Sequence, residues 1–146
     1  MPPEPDIRVY RPDQEGIRKV LGDLEAEIME LIWTRPAHEG ATVRDVFETL
    51  SKRRQIAYTT VMTTMARLAR KKLLRARRHG QAYVYFPNFT EQEFISRFVG
   101  RILESLLISF SGITLERLKA LSGPRAAARA RRLLARIARR RADEEP

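Results

Sequence analysis

A chain of 146 residues has room for one small domain and an appended element, and is too short for several independent enzyme domains. Cysteine is absent and the two histidines, His38 and His79, stand far apart, which excludes disulfides, thiolate metal sites and cysteine nucleophiles and leaves no metal, cofactor or catalytic residue expected. The net charge of +10 is segregated: residues 52–86 and 125–141 hold 18 of the 28 Lys and Arg residues and no Asp or Glu, a pattern that fits a polyanionic partner better than a solvated surface mixing both signs.

Residues 1–20 scatter Pro2, Pro3, Pro5 and Pro12 among charges and lack both a sustained apolar period and the hydrophobic stretch of a secretory signal, so a flexible arm on a cytoplasmic protein is expected. No apolar run reaches the length of a membrane span, and no membrane insertion is expected. Asp23 stands where it can cap a helix whose Leu24, Ile28, Leu31 and Ile32 fall on one stripe and which stops before Pro36. After a loop around residues 38–40, Thr42 and Asp45 form a variant capping box, and Val43, Val46, Phe47 and Leu50 mark a short second helix ending near the basic residues 52–54. A third helix is predicted over 58–72, with Val61, Met65 and Leu68 inward and Thr59, Thr60, Met62, Thr63, Ala66, Arg67 and Arg70 outward. Trp33 and Met65 read as core.

From Leu73 to Phe86 the period changes to two around His79 and Gly80, which predicts a β-hairpin with the glycine in its turn. Alternation puts Ala82, Val84 and Phe86 on one face and Gln81, Tyr83 and Tyr85 on the other, with both tyrosines expected on the exposed side. Three helices followed by a basic hairpin is the order of a winged helix-turn-helix. Thr90 and Glu93 cap a further helix, whose apolar residues from Phe94 to Phe110 form a stripe too wide for one small domain to cover. A homodimer interface through Phe94, Phe98, Ile102, Leu106 and Phe110 is expected, packing against the first helix being the alternative. Thr114 to Leu121 suits another short helix. Pro124 opens a final arginine-rich helix, either a dimer element with a basic outer face or a second nucleic-acid contact.

The expected organisation is therefore mainly α with one small hairpin: an arm over 1–20, a winged domain over 21–88, a helical dimerisation region over 89–141 and an acidic tail over 142–146. Short side chains at the start of the third helix let its backbone approach base edges, and threonine methyls and Met62 suit thymine methyls. The DNA-contacting set expected on the helices is Thr42, Arg53, Arg54, Tyr58, Thr59, Thr60, Met62, Thr63, Arg67 and Arg70. Arg75, Arg77, Arg78 and His79 complete it on the hairpin, placed for phosphate or minor-groove contact.

The stretches LGDLEAEIMELIW (21–33), TVRDVFETLSKRR (42–54), AYTTVMTTMARLARKKLL (57–74) and AYVYFP (82–87) resemble the penicillinase-repressor family, the BlaI/MecI/CopY type of bacterial regulators. The resemblance covers about residues 20–110. It implies a dimer of winged domains joined by C-terminal helices, bound to a palindromic double-stranded operator and repressing transcription. In antibiotic-sensing members it also implies a membrane-bound sensor protease as partner and cleavage at an Asn-Phe bond. Ser109 and Phe110 stand at that place here, with serine replacing asparagine, and the cysteine motif of copper-responsive members is missing. No small-molecule substrate is implied. A different class of reading is a sequence-indifferent architectural nucleic-acid-binding protein driven by the arginine-rich last helix. An enzyme is not supported, since no Ser/His/Asp set, paired carboxylates or phosphate-cradling glycine loop occurs.

Overall fold

A computed structural model describes residues 3–144 and turns the helical spacings of the N-terminal half into three helices and a hairpin. The chain divides into two compact units, one up to Gly100 and one from Arg101 on.

In the first unit, α1 (Asp23–Trp33), α2 (Val43–Ser51) and α3 (Tyr58–Arg70) precede β1 (Leu74–His79) and β2 (Ala82–Pro87). The apolar stripes meet in one core: Ile28, Met29 and Ile32 of α1, Val46 and Leu50 of α2, and Val61, Met65 and Leu68 of α3 are all essentially inaccessible. Each such burial contributes about 1.5–3 kcal/mol, enough together to hold three short helices that would not persist alone. α1 begins one residue earlier than its sequence signal: Gly22, not Asp23, is the N-cap, and its N–H donates to Glu25 Oε1 at 2.9 Å. α2 carries the full reciprocal box, Thr42 Oγ1 accepting from Asp45 N at 3.1 Å and Asp45 Oδ2 accepting from Thr42 N at 2.9 Å. That donated backbone bond is the main reason the Asp45 carboxyl lies below its usual pKa, with the Thr42 hydroxyl and Arg35 assisting against partial burial.

α3 ends two residues before its predicted limit, in a Schellman motif. Leu73 N reaches Leu68 O at 3.0 Å and Lys72 N reaches Ala69 O at 3.1 Å, while Lys72 adopts φ 67° in the position that favours glycine. Lys72→Gly is therefore expected to stabilise the domain by about 0.5–1 kcal/mol, seen as a higher urea midpoint at unchanged slope; a lowered midpoint would contradict left-handed strain at this cap.

β1 and β2 pair antiparallel from Leu74↔Pro87 to His79↔Ala82, leaving Gly80 (φ 66°) and Gln81 as a two-residue turn. The free edge of β2 is occupied by Ala41, which exchanges two 2.9 Å backbone bonds with Tyr85. Tyr85 consequently lies inside at 8% exposure, beside buried Leu74, and this corrects the expectation that both tyrosines face solvent. Only Tyr83, one pleat nearer the tip, protrudes. Burial also raises the Tyr85 phenol pKa.

The first residues are docked where a loose arm is expected. Gly16–Lys19 form a 3-10 turn, Ile17 and Val20 are buried, Asp6 N bonds Lys71 O at 2.8 Å, Arg11 Nη2 bonds the carbonyls of Arg18 and Leu21, and Glu4 pairs with Arg97. Prolines reduce what this segment loses on ordering; Arg11 and Lys19 bond backbone carbonyls, while Arg8 and Arg18 pair with carboxylates.

α4 (Glu91–Ser109) starts at Thr90, whose Oγ1 accepts from Glu93 N. Phe94 and Phe98 are buried in the first unit: the Phe94 ring lies 5.9 Å from that of Trp33 and 5.4 Å from that of Phe98. Their expected role as dimer contacts is corrected accordingly, and the first unit extends past residue 88 to include them. In the second unit α5 (Ser111–Leu121) and α6 (Pro124–Glu144) follow, and none of the described side chains from Arg101 onward is buried. Residues 142–144 continue α6 instead of forming a tail, and 145–146 lie outside the described residues. No helix among the described residues is long and apolar enough to cross a membrane.

Candidate nucleic-acid interface

The helix-turn-helix brings α3 out of the core with one face spent on packing and the other open. Val61, Thr64, Met65 and Leu68 are buried, whereas Thr59, Thr60, Met62, Thr63, Arg67 and Arg70 are exposed and Ala66 is half-buried among them. Met62, at 44% exposure, is a large apolar side chain presented to water in the middle of this polar face. Tyr58 starts the helix with its ring edge-on to Phe47 at 5.4 Å, a contact across the turn that fixes the angle between α2 and α3.

Two details of the backbone matter for ligand chemistry. The N-cap of α3 is Ala57, which has no capping side chain; Thr60 N bonds Ala57 O at 3.1 Å, but the N–H groups of Tyr58 and Thr59 are left open, without a cap such as Thr42 gives α2. The threonine hydroxyls do not fold back to cap it. Thr63 Oγ1 donates to Thr59 O at 2.8 Å and Thr64 Oγ1 to Thr60 O at 2.7 Å. Thr63 thereby turns a lone pair and a methyl outward. Thr60, Thr63 and Arg67 border a shallow groove shared with Gly22, Asp23 and Leu24 at the start of α1.

The cations differ in how free they are. Arg67, Arg70 and Arg77 form no ion pair with any described residue, and all three are exposed. Arg53 and Arg54 instead share Glu27 of α1, at 3.8 and 2.6 Å, so part of their charge is already balanced. Arg75 lies over the Phe86 ring at 5.3 Å and donates to Pro87 O, and Arg78 Nε donates to Gly80 O at the turn. The pleat puts Arg75, Arg77 and His79 on the face opposite Leu74 and Tyr85, away from the core. Lys71, at the end of α3, is tied to the buried Glu25 carboxylate at 2.8 Å and joins α1 to α3.

Thr42 is committed to the α2 cap, so its hydroxyl is a structural group before it is a contact. The sequence reading passed over Arg44, exposed in the first turn of α2 without an ion partner among the described residues, because it lies outside the acid-free run. A cation at the positive end of a helix is a signal that helix-dipole reasoning offers. Of the residues expected at the interface, the structure groups those of α3 on one face and those of β1 on one hairpin. Ser109 and Phe110 fall at the α4–α5 junction, in the second unit. Among the described residues no group of three His, Asp or Glu side chains is placed to hold a metal ion.

A family model for the penicillinase repressors matches residues 21–122. The transcriptional regulator BlaI of Mycobacterium tuberculosis is 46% identical over 76 residues, covering 52% of this chain and 54% of that protein. The chain thus matches about half the length of that relative. The penicillinase repressor of Bacillus licheniformis is 30% identical over 98 residues, covering 62% of this chain and 74% of that protein. Among solved structures, the monomeric form of Bacillus licheniformis BlaI in complex with the blaP half-operator is 32% identical, covering 51% of this chain and 88% of that one with a TM-score of 0.42. With a family match spanning more than half of its residues, the chain belongs to the penicillinase repressor family, a family of transcriptional repressors.

Proposed function

We propose that this chain is a sequence-specific repressor that binds a palindromic operator as a homodimer. The observation that carries the reading is the open face of α3, where Thr59, Met62, Thr63, Arg67 and Arg70 are exposed together within a run, 52–86, that has no acidic residue. In this reading the N-terminal end of α3 enters the major groove, where short side chains allow close approach to base edges. The uncapped first turn receives a phosphate on its free N–H groups. Thr63, with its hydroxyl hydrogen held by Thr59 O, accepts from a base amino group instead of donating, and Met62 meets thymine methyls. Arg67, Arg70 and Arg77 neutralise phosphates on either side, and His79 at the hairpin tip can hydrogen-bond one.

Dimerisation is supported by what the single chain leaves uncovered. Ile95, Val99, Leu103 and Leu106 recur at helical spacing along α4 and all are exposed, as is Phe110 at 60%. Apolar surface of this extent is covered by a partner in a soluble protein, and a second copy supplies a self-complementary one. Control by a sensor protease, as the family resemblance implies, is supported by the backbone at Ser109–Phe110. This bond lies at the break between α4 and α5, with Phe110 out of helical conformation (φ −138°, ψ 52°), so extending the chain here for a protease unwinds less helix than at a bond within α4 or α5.

The test is selection of bound duplexes from a random pool by the full-length chain, repeated with two variants. Thr63→Ala is expected to change the selected bases at one position in each half-site, at about 1–3 kcal/mol of discrimination. Arg77→Ala is expected to weaken all duplexes alike and to reduce the salt slope by about 1. An unchanged motif with Thr63→Ala would remove α3 as the reading element.

A further inference from the structure

The family match ends at residue 122, and α6 begins at Pro124, so this helix is an addition to the part of the chain that the family accounts for. Its side chains are a second concentration of charge that the operator-reading face does not use. Arg125, Arg129, Arg132, Arg136 and Arg139 are spaced four, three, four and three residues apart, which places them on one narrow face of the helix. All five are exposed, and none has an ion pair with a described residue. Leu133, Leu134 and Ile137 lie away from this face, clustered within little more than a turn, and the remainder is mainly alanine, with Arg131 and Arg141 off the spine, Arg140 beside it, and Asp143 and Glu144 at the end.

We infer that α6 is a sequence-indifferent phosphate clamp, its arginine spine lying along the backbone of duplex DNA while the N-terminal unit reads bases. The inference takes its setting from the operator-binding reading but rests on separate residues. The spine from Arg125 to Arg139 is about 21 Å long, at ~1.5 Å per helical residue. Phosphates on one DNA strand advance ~3.4 Å along the axis while the strand winds around it, so a straight helix of this length follows the backbone past about four of them. Like charges three and four residues apart weaken a free helix, and a polyanion along the spine relieves that repulsion. Guanidinium groups suit the task because each binds a phosphate through two parallel N–H donors.

Other occupants fit less well. A helix lying in a lipid interface needs a broad apolar face with aromatic or leucine anchors, whereas α6 has no aromatic residue and one small leucine-isoleucine cluster. A second α6 packed spine to spine would place arginine against arginine. Duplex DNA is the partner whose charge complements the spine and which the first unit already brings close, raising its effective concentration.

The experiment compares the full-length chain with a variant carrying R129Q, R132Q, R136Q and R139Q, substitutions that remove charge and keep helix propensity. Circular dichroism checks that helix content is retained. Binding is measured between about 50 and 200 mM salt on a duplex selected by the full-length chain and on a shuffled duplex of equal length, with sedimentation to follow dimerisation. The expected result is a salt slope shallower by about 3–4 per protomer and a roughly 10- to 100-fold loss at low salt, equal on both duplexes, with the dimer intact. Unchanged slopes overturn the clamp. Loss of the dimer overturns it in favour of a self-association role, and loss of binding to phosphatidylglycerol vesicles with DNA binding unchanged overturns it in favour of a membrane surface. A wild-type chain that does not distinguish the two duplexes defeats the operator reading instead, and the slope change still judges the clamp.

Discussion

Gly40→Ala is expected to cost the N-terminal unit about 2–5 kcal/mol, measured by urea unfolding of the full chain. Two effects add. Gly40 has φ 64°, a conformation that costs an L residue about 1–2 kcal/mol. A Cβ placed there would also stand 2.8 Å from Tyr85 O, Phe86 Cε1 and Val84 Cγ1. Phe86 can tilt, but Tyr85 O is fixed by the N–H of Ala41, so relief requires breaking the bridge that holds the hairpin to the helices, and overpacking of this kind costs about 1–3 kcal/mol. Gly80→Ala supplies the control. It has nearly the same φ, 66°, but nothing within 4 Å of the added carbon, so it should lose only about 1–2 kcal/mol. Equal losses at the two glycines would show that the close approach at Gly40 is not what holds the wing in place.

How far the sequence could be read follows from which signals are local. The helices are legible because their apolar residues repeat every three to four positions and their caps are encoded within three residues, as Thr42 and Asp45 show. The hairpin is legible from alternation and Gly80. Which of its faces turns inward is not: alternation defines two faces, and the choice is made by Ala41, distant in sequence, pairing with Tyr85. The same limit hid Glu27 as the shared partner of Arg53 and Arg54, since a charge run records its own composition and not the helix packed beside it. The docked N-terminus was masked by prolines, although Ile17, Val20 and Leu21 already carry a helical spacing. On the candidate interface, α3 could be read almost residue by residue, because a helix with a known inward face has a known outward one. The cations could not be ranked, because freedom from ion pairs depends on tertiary neighbours.

Phe94→Ala is the second variant with a large expected effect, about 3–5 kcal/mol of destabilisation of the N-terminal unit. The α4 stripe is wide because it serves two purposes. Phe94 and Phe98 fill the first unit's core, and Ile95, Val99, Leu103 and Leu106 lie on the neighbouring exposed face. Truncating the Phe94 ring opens a cavity against Trp33 and Phe98, whose backbones are held by helices and cannot close it fully. Trp33 is the chain's one tryptophan, and its indole N–H bonds Phe89 O at 2.9 Å, so its fluorescence reports this site directly. The variant should lower the unfolding midpoint followed at Trp33 while leaving the association constant of the proposed dimer near its original value. Leu106→Asp should do the reverse, weakening the dimer with the Trp33 transition in place. If Phe94→Ala instead dissociates an otherwise equally stable protein, the aromatic cluster belongs to the interface between copies and the α4 stripe is not divided between core and interface in this way.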